Sequence, residues 1–591
     1  EIIFYPNSTL TESLEYYSFI EFVENNDDRI FNWSRIRSNP LLKFLLQEAH
    51  KGKKHKEILE ILISFGIPEN KIKAYIGELI DLKILIPELE PITTDDTDYW
   101  VERAVDLANK SNSCTGTLVA TLSQVQEALP TIYCEQNEWN NEPIDNPKNM
   151  FHVDTIHETS RENLSKSEVV LITKEIFELI HLNSKRVPED LQVFIRKFIS
   201  RYGDREIALM EALDPENGIG YGKQSKSIDK DYPLLSGIND TEENKAPSAN
   251  KRFLDYFLDK HLDHVNFDQK VLELDLKDFN ILESIQDLGK FVLPHGFYIV
   301  GNLLKTKTST DNKQSLRFHL TACGGTSSFP LLTRFSYLDK TLYQHLKECV
   351  KSEETRAGQA ILAEVVFFPT GKAGNVLRRP SLFAYEIPII SQSAVDDEHT
   401  VLLSDLFVRI VNGRIMLRSQ KLNKTILPRL SSAHNFHYGM AIYRFLCDLQ
   451  FQDNPLNISW DWGIASKRTF LPRITYKHLI LSRAQWNIRT NILRSRSFRD
   501  DRERIEYLRS RFQLPQKVVL IQGDNELCID LNHEVAVRIL LKELHRKDIR
   551  LTENIYDDFI SPVCNTDGES FAHEIILPIH GEPSSNTTGP H

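Results

Sequence analysis

Apolar and polar residues change their spacing several times along this chain, and each change marks an element. Tyr17 to Val23 (YSFIEFV) and Arg29 to Ser34 (RIFNWS) are rich in aromatic and β-branched residues and flank the polar run Glu24-Asn25-Asn26-Asp27-Asp28, which predicts a hairpin. Asn39-Pro40 then opens a helical spacing at Leu41, Leu42, Leu45 and Leu46. His55 to Phe65 gives a second helix through Ile58, Leu59 and Leu62, and Pro68 stands near the start of a third striped by Ile72, Ile76, Leu79 and Ile80. Ile84-Leu85-Ile86 reads as a short return strand. Two strands, three short helices and a return strand are the parts of a winged helix, with the preceding strand occupying residues 1–90.

From residue 91 to about 285 the spacing is mainly helical, with stripes over Tyr99 to Lys110, Thr117 to Leu129, Leu164 to Leu182 and Glu189 to Tyr202, and a polar loop over Glu135 to Asn149. Around Phe291 the period becomes two. Phe291 to Leu303, Leu316 to Ala322, Ile361 to Phe368, Ser381 to Ile390, Leu406 to Val411 and Arg414 to Leu417 are predicted strands, interrupted by a helix near Leu338 to Lys351. Beyond these, helices over Arg499 to Phe512 and Asn532 to Lys547 alternate with strands over Val518 to Gln522, Leu527 to Leu531 and Glu574 to Ile579. The pattern defines an α+β protein: a helical part to about 285, an α+β part over about 286–579, and a polar tail over 580–591 that reads as mobile. No internal repeat interrupts it.

Composition narrows the class. The 591 residues are 41% hydrophobic and 26% charged, near the averages for globular chains. The most apolar runs, Ile58 to Phe65 and Ile361 to Pro369, fall far short of the ~20 residues a bilayer span requires and are broken by Glu60 and Glu364. Cys114, Cys134, Cys323, Cys349, Cys447, Cys528 and Cys564 are an odd set without a C-x-x-C pair, so neither a disulfide framework nor a zinc site is indicated, and a cytoplasmic location is expected. Glu1 stands where a start would have Met, and EIIFYP lacks a basic n-region, which reads as lost upstream sequence and not as a signal peptide.

The chemistry-bearing patterns are few. Gly218-Ile-Gly220-Tyr-Gly222-Lys223 has the spacing of neither dinucleotide nor P-loop phosphate motifs and reads as a turn. His533-Glu534 lacks the second His of a zincin, no nucleophile elbow is present, and no metal is expected. Charge supplies a stronger feature. The chain carries 71 Lys and Arg against 83 Asp and Glu, a net −12, yet eleven cations and four acids lie between Arg473 and Arg511. Such a concentration suits a phosphate backbone, through Arg483, Arg489, Arg494, Arg496, Arg499 and Arg502. It equally suits a solvated helix face, with Arg499 spaced to meet Glu503 and Arg502 to meet Glu506. Arg378-Arg379-Pro380 precedes a strand, where paired arginines either capture an anion or form a surface turn. Asp214, before Pro215, stands where a helical pattern stops, the position of a cap or turn residue as well as of a functional acid.

Taken in order, several strings resemble the lantibiotic dehydratase family in its tRNA-dependent glutamylation part. They are Tyr202-Gly203-Asp204-Arg205-Glu206-Ile207-Ala208-Leu209, Leu213-Asp214-Pro215-Glu216-Asn217-Gly218-Ile219-Gly220-Tyr221, Ala363-Glu364, Asn375-Val376, Arg379-Pro380 and Tyr385-Glu386-Ile387. Asp405-Leu406, Arg444-Phe445-Leu446, Phe470-Leu471-Pro472-Arg473-Ile474, Leu481-Ser482-Arg483-Ala484 with Trp486, Gly523-Asp524-Asn525, and Glu574 with Pro578 continue the series. Each string is short, and their collinearity over the chain carries the resemblance.

The resemblance implies a glutamylation domain over 91–591 with an embedded winged-helix unit that binds the leader of a precursor peptide, Tyr17, Phe19, Phe31, Ile76 and Leu79 facing that peptide. It implies transfer of glutamate from glutamyl-tRNA, as co-substrate, to Ser/Thr side chains of the precursor. Asp214 resembles the family's functional acid, and Arg379, with Arg378 as the alternative, its arginine; on this basis Asp214→Asn and Arg379→Ala abolish transfer without unfolding the protein. The partners implied are the precursor, the glutamate tRNA, a separate elimination protein, a cyclase and a second copy of the chain. Two departures stand out: the family's arginine-containing upstream segment is absent before Glu1, and the chain stops shortly after Glu574-Ile575-Ile576-Leu577-Pro578, as in a split arrangement. A peptide aminoacyl-tRNA ligase that uses ATP and a non-catalytic peptide-binding scaffold are the alternative functions.

Overall fold

The computed structural model describes residues 2–94, 163–222, 293–306, 316–369 and 373–580, with isolated exceptions inside these stretches and scattered residues between them. The expected helices at Tyr99 to Lys110 and Thr117 to Leu129, the loop at Glu135 to Asn149 and the last eleven residues lie outside the described residues, apart from Arg103 and Asp106.

The N-terminal hairpin pairs Tyr16–Asn25 with Asp28–Arg37 in unbroken register from Tyr16↔Arg37 to Asn25↔Asp28. Cross-strand partners share a face. Ile20 and Phe22, opposite Trp33 and Phe31, pack into a core with Phe367 and Tyr443, whereas Tyr17 and Phe19 enter a second core with Leu42, Leu62, Ile76 and Leu79. The hairpin is therefore a partition between two cores, apolar on both sides. The second core belongs to helices Pro40–Glu48, His55–Ser64 and Glu69–Asp81. Asn39 starts the first of these by accepting the Leu42 N–H at 2.8 Å, with Pro40 at the first helical position, where no N–H is missed. The strand these helices return, Leu85–Pro87, pairs with Ile3–Pro6, which in turn pairs with Lys53–Lys54; the hairpin sits in a separate sheet with Thr11–Glu12.

The first core is built on a six-stranded sheet ordered Tyr385–Ile389, Ile361–Phe367, Lys424–Arg429, Arg414–Ser419, Leu406–Val411, Ile207–Ala208. Its first three strands run parallel, and the central one, Ile361–Phe367, is buried almost throughout and apolar but for Glu364, as a strand covered on both faces must be. Ala363, Val365 and Phe367 face helices Glu189–Tyr202, Leu209–Leu213 and Ala441–Leu449 together with the hairpin, while Leu362 faces the helix Lys340–Ala357 through Leu346, Cys349 and Val350.

An eight-stranded sheet centred on Gly296–Thr306 and Leu316–Gly325 forms a further core with the helix Lys166–Glu178, which Ser165 and Glu168 start as a capping box. A five-stranded sheet packs the helices Asp501–Phe512 and Glu534–Arg546 through Ile505, Leu508, Phe512, Leu540 and Leu544. The fold is α+β. Among the described residues no helix is long and apolar enough to cross a membrane.

Candidate functional site

The short helix Leu209–Leu213 ends at Asp214, which turns to an extended conformation ahead of Pro215. Asp214 is buried, and its Oδ1 accepts the N–H of Glu216 at 2.8 Å and of Asn217 at 3.0 Å, closing a tight turn of the kind Asp favours. Gly218 folds back so closely that a Cβ would collide with the Glu211 carbonyl oxygen and stand 2.8 Å from those of Ala212 and Asp214, so no other residue fits without moving the loop. Gly220 takes φ +70°, the left-handed region. The loop ends on Tyr221, whose ring packs against Phe194 and Phe445 and whose hydroxyl donates to Asp448 Oδ2 at 2.6 Å. The glycine string is thus a turn, fixed at both ends.

Arg35 joins this loop from the hairpin. Its Nη2 donates to both Asp214 oxygens, at 3.2 and 3.0 Å, and its Nη1 stands 2.9 Å from Glu216. The sequence reading did not single out Arg35. Nothing in its spacing points to a residue 179 positions away, and the contact arises only because the hairpin packs on the core that carries the loop.

Arg379 follows the one-turn helix Gly374–Leu377 and is buried with every side-chain nitrogen engaged. Nε donates to Ser431 Oγ at 2.7 Å, Nη1 to the Leu377 carbonyl at 2.6 Å, and Nη2 to Glu364 Oε1, while its backbone N–H donates to Thr93 O at 3.0 Å. Glu364 also accepts the Ser431 N–H at 3.0 Å, and its other oxygen, Oε2, has no hydrogen-bond partner among the described residues. Burial pushes the Glu364 carboxyl above its ordinary range, against the pull of Arg379. Glu386, its in-register neighbour on the adjacent parallel strand, is fully buried too and accepts from Ser393 Oγ and the Ala394 N–H. His434 and Tyr443, bonded at 3.1 Å, complete the cluster; burial and then the Arg379 charge hold the imidazole below its usual value. Glu364 had a visible signal, a single acid inside the apolar run Ile361 to Phe368, which requires a buried counter-ion.

Asp214 and Arg379 share no hydrogen-bond partner. This placement predicts that Arg379→Ala costs stability as well as activity, because removal of Arg379 leaves Glu364 buried without its counter-ion. Arg378 is exposed.

The arginine stretch divides between strands Arg473–Tyr476, Leu479–Ser482 and Gln485–Ile488 and the helix Asp501–Phe512. Arg483 is mostly buried and held by both oxygens of Glu526, whose side chain is exposed. Arg499 pairs with Glu503 at 3.4 Å and Arg502 with Glu506 at 3.3 Å, as a solvated helix face would have it. Arg489, Arg494 and Arg496 are exposed, and Arg496 lies 5.5 Å from the Tyr507 ring. Tyr17, Phe19, Ile76 and Leu79 are closed in the core of the helical unit, and Phe31 lies tilted 5.3 Å from Phe367, so among the described residues their side chains pack against the protein's own interior.

The chain matches the family described as "Lantibiotic dehydratase, N terminus" over residues 4–540, and it belongs to that family. Among curated relatives it is 22% identical over 566 residues to the epidermin biosynthesis protein EpiB of Staphylococcus epidermidis, covering 93% of this chain and 53% of EpiB. It is 22% identical over 578 residues to the subtilin biosynthesis protein SpaB of Bacillus subtilis, covering 92% and 54%. The chain thus spans about half the length of the curated relatives it matches. Among solved structures it resembles the tRNA dependent lantibiotic dehydratase MibB of Microbispora sp. 107891, with a TM-score of 0.73 at 18% identity over 98% of this chain and 57% of MibB. The glutamylation domain TbtB from thiomuracin biosynthesis matches with a TM-score of 0.60 at 14% identity over 98% of this chain and 70% of TbtB.

Proposed function

We propose that the chain is a glutamyl-tRNA-dependent transferase that esterifies Ser/Thr side chains of a ribosomally made precursor peptide, the first half of lanthipeptide dehydration. The observation that carries this reading is the match to the dehydratase N-terminal family over residues 4–540. A solved relative described as tRNA dependent and another described as a glutamylation domain, one form of it bound to 5'-phosphodesmethylglutamycin, support it. The hydroxyl oxygen of the peptide attacks the acyl carbon of the glutamyl ester, the bond to the tRNA ribose breaks, and the hydroxyl proton ends on the departing ribose oxygen. No electrons are exchanged, so the protein has only to orient two substrates and move one proton.

Asp214 is the acid we assign to this step, as partner of the glutamyl ammonium group or of the transferred proton. Its turn and Arg35 fix its orientation, the pre-organisation such a group needs. Arg379, held by Glu364 and Ser431, keeps the neighbouring strand and loop in place. We assign the leader of the precursor to the winged-helix unit, 1–90, as a strand added along Asp28–Arg37, which has no strand beyond it among the described residues. Arg35 lies on that strand and touches Asp214, so peptide and reaction loop would meet through one side chain. Charged tRNA places the reaction in the cytoplasm.

The test is incubation with precursor and glutamyl-tRNA, with and without ATP, read by mass spectrometry. Glutamyl esters on Ser or Thr without ATP are expected. An ATP-dependent addition at the peptide C-terminus would establish the ligase alternative, and a bound but unmodified peptide the scaffold.

A further inference from the structure

The helix Glu189–Tyr202 buries Leu191, Phe194, Phe198 and Tyr202 and turns Arg196, Lys197, Ser200 and Arg201 to solvent. Those four residues, with Gly218 and Ile219 of the Asp214 loop, line an open groove of about 410 Å³. Arg205, just beyond the helix, adds a fourth cation. Among the described residues none of the four cations pairs with a carboxylate, whereas nearby Arg418 and Arg444 are paired with Glu206 and Asp190. The wall is also fixed in position. Arg201 donates to Asn217 O at 2.5 Å and lies 5.5 Å from the Tyr202 ring, which Arg205 approaches at 5.7 Å.

We propose that this groove binds the phosphodiester backbone of tRNA near its acceptor end, an inference that rests on the transferase reading above. Four cations without counter-ions repel one another, and an arriving polyanion relieves that repulsion while it releases its own condensed ions. Lys197 and Arg201, one turn apart on the same face, stand about 6 Å apart along the helix axis, about two steps of a strand that carries one phosphate per about 3.4 Å. The position is informative as well. Gly218 and Ile219 donate backbone N–H groups to Asp214 O and Ala212 O, both at 2.9 Å, so phosphates seated against them lie beside the turn that holds the Asp214 carboxylate. The groove offers a peptide little: its lining has one apolar side chain, Ile219, and no strand edge.

The test uses end-labelled glutamate tRNA and the full chain, with binding followed by anisotropy over a range of salt. Arg196→Gln/Lys197→Gln and Arg196→Glu/Lys197→Glu are compared with wild type; both side chains are exposed, so circular dichroism and melting should be unchanged. The reversal pair should lose about tenfold or more in affinity, and the slope of log affinity against log salt should flatten by roughly 2. Wild-type affinity and slope in both variants would overturn the groove assignment and leave the transferase reading intact. No tRNA binding by the wild-type protein would instead remove that reading and this inference together. Loss of labelled precursor with tRNA binding retained would overturn the assignment in favour of a peptide groove.

Discussion

The bond between Tyr221 and Asp448 closes the Asp214 loop, and its removal should have a pH signature. The hydroxyl donates to Asp448 Oδ2 at 2.6 Å, both residues are buried, and Asp448 Oδ1 has no partner among the described residues. Burial pushes the Asp448 carboxyl up; Tyr221, then His437 and Arg444, pull it back, and Asp190 opposes them. A folded value above the unfolded one means that Asp448 contributes most to stability below the unfolded value, about 3.9, and that this contribution is lost as pH rises through the folded value. Tyr221→Phe removes a donor that favours the charged form, so the folded value rises further and the loss grows with pH. A buried hydrogen bond to a charged group contributes about 1.5–3 kcal/mol, and burial leaves no reason to discount it. Urea unfolding of Tyr221→Phe, Asp448→Asn and the double variant should give a coupling in that range near pH 8 and a much smaller one near pH 4. A coupling that is the same at both pH values, or below about 0.5 kcal/mol, would refute the reasoning.

Other perturbations separate fold from chemistry. Arg379→Ala should cost about 3–5 kcal/mol, because the fully buried Glu364 loses its counter-ion; Arg379→Ala/Glu364→Gln should recover part of it, as read by thermal unfolding. Arg35→Gln should cost only about 1–2 kcal/mol, since Arg35 is partly exposed and Asp214 keeps two backbone donors, yet transfer should fall at least tenfold if the hairpin positions the loop. Gly218→Ala should destabilise by about 1–3 kcal/mol through the contact with Ala212 O and Asp214 O, with the loss seen as faster proteolysis within the loop. Arg499→Ala and Arg502→Ala should leave stability unchanged in the same melts, both side chains being exposed pairs on one helix.

Local elements were legible where one period ran cleanly. Glu189–Tyr202 and Leu406–Val411 appear at the expected bounds, and Leu316–Gly325, Ile361–Phe367 and Glu534–Arg546 within a few residues of them. What the sequence concealed is pairing at long range. Ile3–Pro6 is too short to show a period and becomes a strand only by lying between Lys53–Lys54 and Leu85–Pro87. Arg473 to Arg511 looked continuous, but its cations go to different sheets and acids: Arg473 to Glu553, Lys477 to Glu178, Arg483 to Glu526. The apolar residues of the hairpin are visible in the sequence, yet alternation alone does not show that both faces are covered, so Tyr17 and Phe19 are expected to face a peptide, whereas the fold packs them in its core. The pattern leaves Asp214 and Arg379 open between a structural and a functional role, and only the resemblance favours the functional one. Their partners Arg35 and Glu364 emerged only when the fold brought them within hydrogen-bond distance.

The most direct test of the account is a single-turnover transfer of labelled glutamate from glutamyl-tRNA to the precursor, with Asp214→Asn run beside the wild-type protein and both shown to be folded and to bind precursor equally. The account predicts that the wild-type reaction puts label on Ser or Thr as an ester cleaved by hydroxylamine, and that Asp214→Asn leaves the label on the tRNA. Equal transfer by both proteins, or label held in a hydroxylamine-stable amide, would contradict it.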